Sequence, residues 1–418
     1  MTKLRTEQDR SLLSAAIAAV CAVMTAYSLR PVILYYQGSA GATAAVLTVA
    51  AGAALVFPRL IRRSGITAGE AEKPNTGGRN TGLDLLRAFA VLMVITCHYT
   101  LSIGFADTPV QLTPYWWHLS MARWLAQTGV PLFMMLSGYF LLSHRYDRRH
   151  FSSFVHFLRN YFIIALLFLL KNRITTPDVL KQFVNLNYLW YINMYFGLAL
   201  IAPALNAVVE GLSRDAFFLL LGILFVLSSL GTVFGEWFTS YWFGLYPLLY
   251  YGIGAGIRRY SVSAERKLPL LVILSAVLVL QSARTCFGDV GGVFNWYRNY
   301  GGYSNAYNAV PTVMGTTALF LLCKDISVKN GFLAGCLRQI SSQSLEVYLL
   351  VCLFFGNPVY SFFERLLWDR LGSFGFWFPV AFGELALGTI GGIVLNFILD
   401  RAQGILFRPA ASKRRPSD

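Results

Sequence analysis

Long apolar runs restrict the fold of this chain more than any other feature. A run of about 20 apolar residues can cross a bilayer as an α-helix, in which the backbone polar groups bond to one another. Apolar residues make up 56% of the chain and charged residues only 13%, against roughly 25% charged residues in soluble domains. We therefore predict an all-α, polytopic transmembrane helix bundle of about 12 spans. The predicted spans are residues 12–29, 41–58, 84–105, 128–143, 155–170, 188–206, 215–232, 241–257, 268–283, 307–323, 341–356 and 376–399.

The basic residues predict the orientation of these spans. With the N-terminus inside, the cytoplasmic segments carry 25 Lys and Arg residues, the external segments carry 9, and Arg87 lies within a span. This asymmetry follows the positive-inside rule and places both termini in the cytoplasm. The net charge of +15 is then mostly loop charge that faces anionic lipid. We expect membrane lipid as a partner, and no nucleic acid.

The chain divides into four predicted parts. Residues 1–58 form a two-span hairpin, residues 59–78 a polar linker, residues 79–400 the main bundle, and residues 401–418 a basic cytoplasmic tail. The six cysteines and five histidines include no CxxC or HExxH spacing, so we expect no metal site.

One predicted span carries three ionisable residues, Asp84, Arg87 and His98. Ionisable residues inside a membrane span are costly and are functional candidates by default. Arg87 and His98 are 11 residues apart, close to three helical turns, so they share a face about 16 Å apart along the axis. Asp84 lies on the neighbouring turn. A cation at one end and an imidazole at the other suit a long acyl carrier that has phosphates at one end and a thioester at the other.

These residues belong to the first of five blocks that resemble the bacterial integral-membrane acyltransferase 3 family. The first block has an Arg, ten residues and a His, preceded by Asp. The other blocks follow in the family's order: GVPLFMMLSGYFLL at 129–142, the basic loop 145–159, YLWYINMYFGLALIAP at 188–203 and SSQSLEVYLL at 341–350. The chain departs from the family pattern in the basic loop, where His156-Phe-Leu-Arg159 replaces an Arg-x-x-Arg pair. It departs again in the last block, where Val351 replaces a frequent His.

The resemblance implies a ten-span acyltransferase-like core, preceded here by the two-span hairpin. It implies transfer of an acyl group, commonly acetyl, from acyl-CoA to a hydroxyl of a cell-envelope glycan or a lipid-linked sugar. The expected location is the bacterial cytoplasmic (inner) membrane. Acyl-CoA is a donor substrate in this chemistry, so we expect no permanently bound cofactor. The oligomeric state is left open.

The same resemblance assigns roles to residues. His98 is the expected general base, because imidazole removes a hydroxyl proton near neutral pH and burial favours its neutral form. Asp84 is expected to orient Arg87, and arginines suit bidentate contact with the phosphates of CoA. The residues expected to bind these phosphates are Arg87, Arg159, Arg148 and Arg149. The candidate donors to the carbonyl oxygen are Ser137, Tyr139, Tyr191 and Asn193. Glu346 and Glu384 are candidate contacts for the acceptor sugar.

Other interpretations stay open at this point. Asp84 and Arg87 would also form an ordinary ion pair near a span end, and the loop arginines satisfy the positive-inside rule without binding anything. Ser137-Gly138 is typical of close packing between helices. A transporter or flippase of a glycan or lipid-linked intermediate is the alternative function, although the chain has no internal repeat of the transporter kind. A non-catalytic envelope scaffold is a weaker third possibility.

Overall fold

The computed structural model of this chain describes most of the predicted main bundle. The described residues are 38–63, 66–68, 80–103, 105, 114–186, 188–234, 240–290 and 306–406, with isolated positions between 18 and 33. Most of predicted span 12–29, most of the linker and the tail beyond residue 406 lie outside the described residues.

The described part is almost entirely helical. Its α-helices are α1 Ala40–Arg63, α2 Thr81–Ser102, α3 Pro114–Ala126, α4 Gly129–Leu141, α5 Arg148–Lys171, α6 Pro177–Val184, α7 Trp190–Gly211, α8 Arg214–Phe225, α9 Gly231–Phe234, α10 Tyr246–Arg259, α11 Leu268–Val290, α12 Val310–Cys323, α13 Gly331–Ser342, α14 Ser344–Leu350 and α15 Gly356–Leu406. Shorter elements are the π turns Val226–Leu230 and Val351–Phe355, the 3₁₀ turns Ser240–Leu245 and Ala306–Asn308, and the strands β1 Ile66–Ala68 and β2 Val262–Ala264.

Seven helical stretches in the described residues are long and apolar enough to cross a membrane. They are Ala40–Arg63, Thr81–Ser102, His150–Lys171, Trp190–Gly211, Leu268–Phe287, Ser344–Leu366 and Pro379–Arg401. The protein is therefore a polytopic helix bundle, as predicted. The count of twelve spans is not confirmed, because four predicted spans fall on the shorter or interrupted helices α4, α8–α9, α10 and α12.

The residues assigned to α15 cannot form one straight rod. A Cβ atom added at Gly383 would lie 2.7 Å from the ring of Phe363 and 3.4 Å from Val359. In a straight helix, residues 359 and 383 would be about 36 Å apart. The chain therefore reverses between them, and its two halves pack side by side, as expected for separate spans near 341–356 and 376–399.

Four contacts join segments that the charge pattern predicts to share one side of the membrane. The contacts are β1 with antiparallel β2, Thr81 Oγ1 with the Val328 amide at 3.0 Å, Arg145 with Glu210, and Lys267 with Asp325 at 3.9 Å. These segments thus meet at one face of the bundle. The predicted spans between them alternate in direction, so an even number of spans brings the chain back to this face each time. Two details differ from the expected polar linker: α1 extends to Arg63, and residues 66–68 form a strand.

Close approach between α4 and α10 fixes one wall of the later site. A Cβ at Gly138 would lie 2.0 Å from the carbonyl oxygen of Tyr251, and a Cβ at Gly254 would lie 1.9 Å from that of Met135. Arg258 Nη1 donates to the carbonyls of Tyr139 at 2.7 Å and Phe140 at 3.0 Å, near the end of α4 where helical partners run out. The packing interpretation of Ser137-Gly138 agrees with this geometry.

Candidate functional site

Helix α2 forms the axis of the candidate site. The Asn80 side chain caps it by accepting from the amides of Gly82 at 2.8 Å and Leu83 at 3.2 Å, which satisfies amides that lack helical partners. The helix is continuous over Thr81–Ser102. Arg87 and His98 therefore lie on the same face, as the sequence spacing predicted.

A cavity of about 290 Å³ lies beside the first half of this face. Its walls come from α2, α4, α5, α7, α13 and α14. The predicted site residues that line it are Arg87, Ser137, Tyr191 and Glu346, together with Phe133, Phe140, Tyr195, Ser341 and Tyr348. The Arg87 guanidinium lies 4.8 Å from the centre of the Phe140 ring, so an aromatic face supports its charge. We call this space the main cavity.

A smaller cavity of about 50 Å³ lies beside His98, and it is also lined by Cys97, Leu101, Trp190 and Tyr307. We call it the histidine cavity. Three residues, Val94, Tyr191 and Tyr348, line both cavities. The two spaces therefore adjoin, with Arg87 in one and His98 in the other. The Tyr191 and Tyr348 rings meet edge to face at 5.5 Å, so these two side chains form the boundary between the cavities.

The imidazole of His98 lies close to the π turn that follows α14. Its Nε2 atom is 3.5 Å from Cys352 Sγ, and its ring centre is 6.2 Å from that of Tyr348. Sequence analysis did not select either residue, although Tyr348 lies within the SSQSLEVYLL block. His98 thus contacts the π turn through Cys352 and also lines the histidine cavity together with Tyr348.

Arg123 corrects one assignment from the charge pattern. It was counted as external loop charge, but it is only 2% exposed and lies in α3 against α2. Its Nη1 atom donates to the Cys97 carbonyl at 3.0 Å and to Thr100 Oγ1 at 2.9 Å. Loop counting missed it because α3 is short and its sequence, PYWWHLSMARWLA, is not a membrane-length apolar run. The contact holds the turn of α2 that carries His98.

A network of polar side chains meets the main cavity at Glu346. The Asn160 Nδ2 atom donates to Glu346 Oε1 at 2.5 Å and to Asn396 Oδ1 at 3.1 Å. Arg159 Nε donates to Asn160 Oδ1 at 3.0 Å. Glu346 is 4% exposed, and these bonds offset the cost of burying its charge. Arg159 does not line the main cavity, but it reaches Glu346 through Asn160.

A buried hydroxyl on α13 also lines the main cavity. Ser341 is 1% exposed, and its Oγ atom has no hydrogen-bond partner among the described residues. A buried polar atom without a partner costs free energy that a bound polar ligand would recover. This hydroxyl thus indicates that the cavity takes a ligand with polar groups.

Several other predicted site residues lie outside these two cavities. Asp84 is buried one turn before Arg87, Arg148 is exposed at the start of α5, and the Arg149 side chain is not among those described. Tyr139 packs against Phe320, while Asn193 donates to the Asn185 carbonyl at 3.2 Å. Of the four candidate oxyanion donors, the structure brings Ser137 and Tyr191 to the main cavity.

Comparison with known protein families decides the class of this protein. The family model described as an acyltransferase domain matches residues 80–401, which include both cavities and all of the predicted site residues. The chain belongs to the acyltransferase 3 family. Searches of curated proteins and of solved structures found no match. Membership of the acyltransferase 3 family makes this protein a membrane acyltransferase, and the matched segment begins at the cap of α2, as the sequence resemblance indicated.

Proposed function

We propose that this acyltransferase moves an acyl group, in the simplest case acetyl, from acyl-CoA to a hydroxyl of a cell-envelope glycan or a lipid-linked sugar. We place it in the bacterial inner membrane with both termini in the cytoplasm. One observation carries the proposal: Arg87 and His98 lie on one helical face and line two adjoining cavities. That arrangement fits a donor with anionic phosphates and a distant thioester.

The cavity volumes fit the parts of such a donor. A cavity needs a volume of roughly 10–15 Å³ for each water-sized group that it holds. The main cavity of about 290 Å³ therefore takes on the order of 20 such groups, enough for the arm between the phosphates and the thioester. The histidine cavity of about 50 Å³ takes roughly four of them. An acetyl group has two carbons and one oxygen, so this small space favours acetyl over long acyl chains.

The proposed reaction balances without a bound cofactor. The acceptor hydroxyl oxygen attacks the thioester carbonyl carbon, and His98 takes the hydroxyl proton. The new carbon–oxygen bond forms as the carbon–sulfur bond breaks. CoA leaves as a thiolate and receives the proton from the imidazolium, which restores neutral His98. The Tyr191 and Tyr348 side chains line both cavities, and we propose their hydroxyls as donors to the charge that develops on the carbonyl oxygen.

The test is replacement of His98 by Ala in a strain that lacks the native gene. General acid–base catalysis contributes typically 10²–10⁴-fold to a rate, so we expect acylation of envelope sugars to fall by about 100-fold or more. Mass spectrometry of these sugars would show the loss of the mass of one acetyl group. The matched control is His118→Ala, because His118 is exposed and lines neither cavity. Near-normal acylation by a correctly inserted His98→Ala protein would refute the general-base role.

A further inference from the structure

We infer that a third cavity, next to the main cavity, binds the purine base of the donor nucleotide. This side pocket has a volume of about 120 Å³ and is lined by His144, His150, Phe154, Phe157, Tyr195 and Phe196, with Leu141 and Ala199. The inference rests on the proposed use of a CoA thioester as donor. No residue of this pocket was selected as a site from the sequence.

The side pocket adjoins the main cavity. Leu141, Phe157 and Tyr195 line both spaces. A donor whose arm fills the main cavity would therefore have its other end next to the side pocket. The three cavities together form a series, with aromatic rings at one end, Arg87 in the middle and His98 at the far end.

The lining of the side pocket suits a flat heteroaromatic ring. The Phe154 ring meets the Phe196 ring edge to face at 5.4 Å, and the Phe157 and Tyr195 rings lie 5.4 Å apart. Aromatic side chains stack favourably on nucleobases, whichever base is bound. A volume of about 120 Å³ holds on the order of ten water-sized groups, and a purine with its exocyclic amine has ten ring and substituent atoms.

One polar side chain in the side pocket points to a polar ligand and not to a lipid chain. His150 is 2% exposed, and its Nε2 atom has no hydrogen-bond partner among the described residues. A purine offers ring nitrogens and an exocyclic amine that would bond to it, whereas an alkyl chain would leave the nitrogen unsatisfied.

The binding test uses 3′,5′-ADP, the nucleotide end of CoA, with full-length protein in detergent. We expect Ala199→Phe, which fills the side pocket, to weaken 3′,5′-ADP binding by about tenfold or more. The matched control is Ala204→Phe, because Ala204 is an exposed position on the same helix. Pyrophosphate binding, which needs only the cations, should be unchanged in both variants. His150→Leu is the deciding variant if Ala199→Phe does not fold, and we expect it to weaken nucleotide binding while pyrophosphate binding is retained.

The outcomes separate this inference from the proposed function. Equal affinity of wild type and the side-pocket variant for 3′,5′-ADP would overturn the inference, as would a failure of wild type to bind it. Acetyl transfer by a wild-type protein that does not bind 3′,5′-ADP would overturn the side pocket and leave the proposed function standing. Specific 3′,5′-ADP binding in a protein that transfers no acetyl group would support the side pocket and refute the proposed reaction.

Discussion

Replacement of Gly138 by Ala tests the helix contact that holds the main cavity in shape. The added Cβ would lie 2.0 Å from the Tyr251 carbonyl oxygen and 3.0 Å from the Ala255 amide. An ordinary contact is about 3.5 Å or longer, so the helices must separate by more than an ångström. Overpacking costs typically 1–3 kcal/mol. The atom in the way belongs to the backbone, which no rotamer change can move, so we expect a loss of stability of about 3 kcal/mol.

A gain in helix propensity opposes part of this cost. Ala is favoured over Gly in a helix by about 1 kcal/mol, which leaves a net loss of about 2 kcal/mol. In thermal melts of the detergent-solubilised protein, we expect the apparent Tm to fall by about 2 °C, because the unfolding entropy of a chain this long is large. Donor turnover should fall as well, because α4 carries Phe133 and Ser137 into the main cavity.

The matched control is Gly197→Ala on α7. A Cβ at Gly197 would meet no atom within 4 Å, so this variant gains helix propensity at no packing cost. We expect its Tm to equal or exceed that of wild type. If Gly138→Ala instead melts within about 1 °C of Gly197→Ala, the close α4–α10 contact does not exist as described, and the shape of the main cavity would have to be reconsidered.

Three further predictions concern charge and orientation. Arg87→Lys should raise the KM for acetyl-CoA in membrane vesicles, since an ammonium lacks the planar fork of Arg; an unchanged KM would leave Arg87 a structural residue. Arg123→Met should lower kcat about tenfold with little change in the KM for acetyl-CoA. The lost hydrogen bonds to α2, about 1.5–3 kcal/mol each, hold the turn that carries His98, so their loss would misplace the imidazole. An unchanged kcat would remove Arg123 as a positioning residue. Cysteines introduced at Glu265 and Thr176, in a chain without native cysteines, should be labelled from opposite sides of the membrane; labelling from the same side would mean that the spans were miscounted.

Local spacing predicted the relative placement of Arg87 and His98. The Arg87–His98 relation depends only on helical geometry within one continuous helix, and the structure keeps that helix intact from Thr81 to Ser102. The lengths of the late apolar runs likewise predicted two separate spans, which correspond to Ser344–Leu366 and Pro379–Arg401. Short and interrupted helices were harder to predict as spans. Helices α4 and α10 have only 13 and 14 residues, fewer than the roughly 20 of a typical span. Their stability comes from close contacts at Gly138 and Gly254, which no apolar-run length reveals.

Contacts between distant segments could not be predicted from one sequence. Arg123 contacts the turn of α2 that carries His98, and Cys352 contacts His98 itself, because α3 and the π turn pack against α2 from separate parts of the chain. Ser341 and His150 are ordinary polar residues in sequence, and burial without a partner is what distinguishes them. The family resemblance directed attention to five blocks, and Tyr348 lies in one of them, but its position between two cavities is a property of the packed bundle.

The direction of α2 links the charge pattern to the proposed chemistry. The helix begins at Thr81, whose hydroxyl bonds to residues 326 and 328 at the face where the four predicted cytoplasmic contacts meet. From that start, Arg87 lies about 9 Å along the axis and His98 about 26 Å. The hydrocarbon core of a bilayer is about 30 Å thick. With this face on the cytoplasmic side, as the charge asymmetry predicts, the donor phosphates would stay near the cytoplasmic boundary while the thioester would reach most of the way across. The acceptor hydroxyl then meets the acyl group near the outer side, and the donor itself never has to cross the membrane.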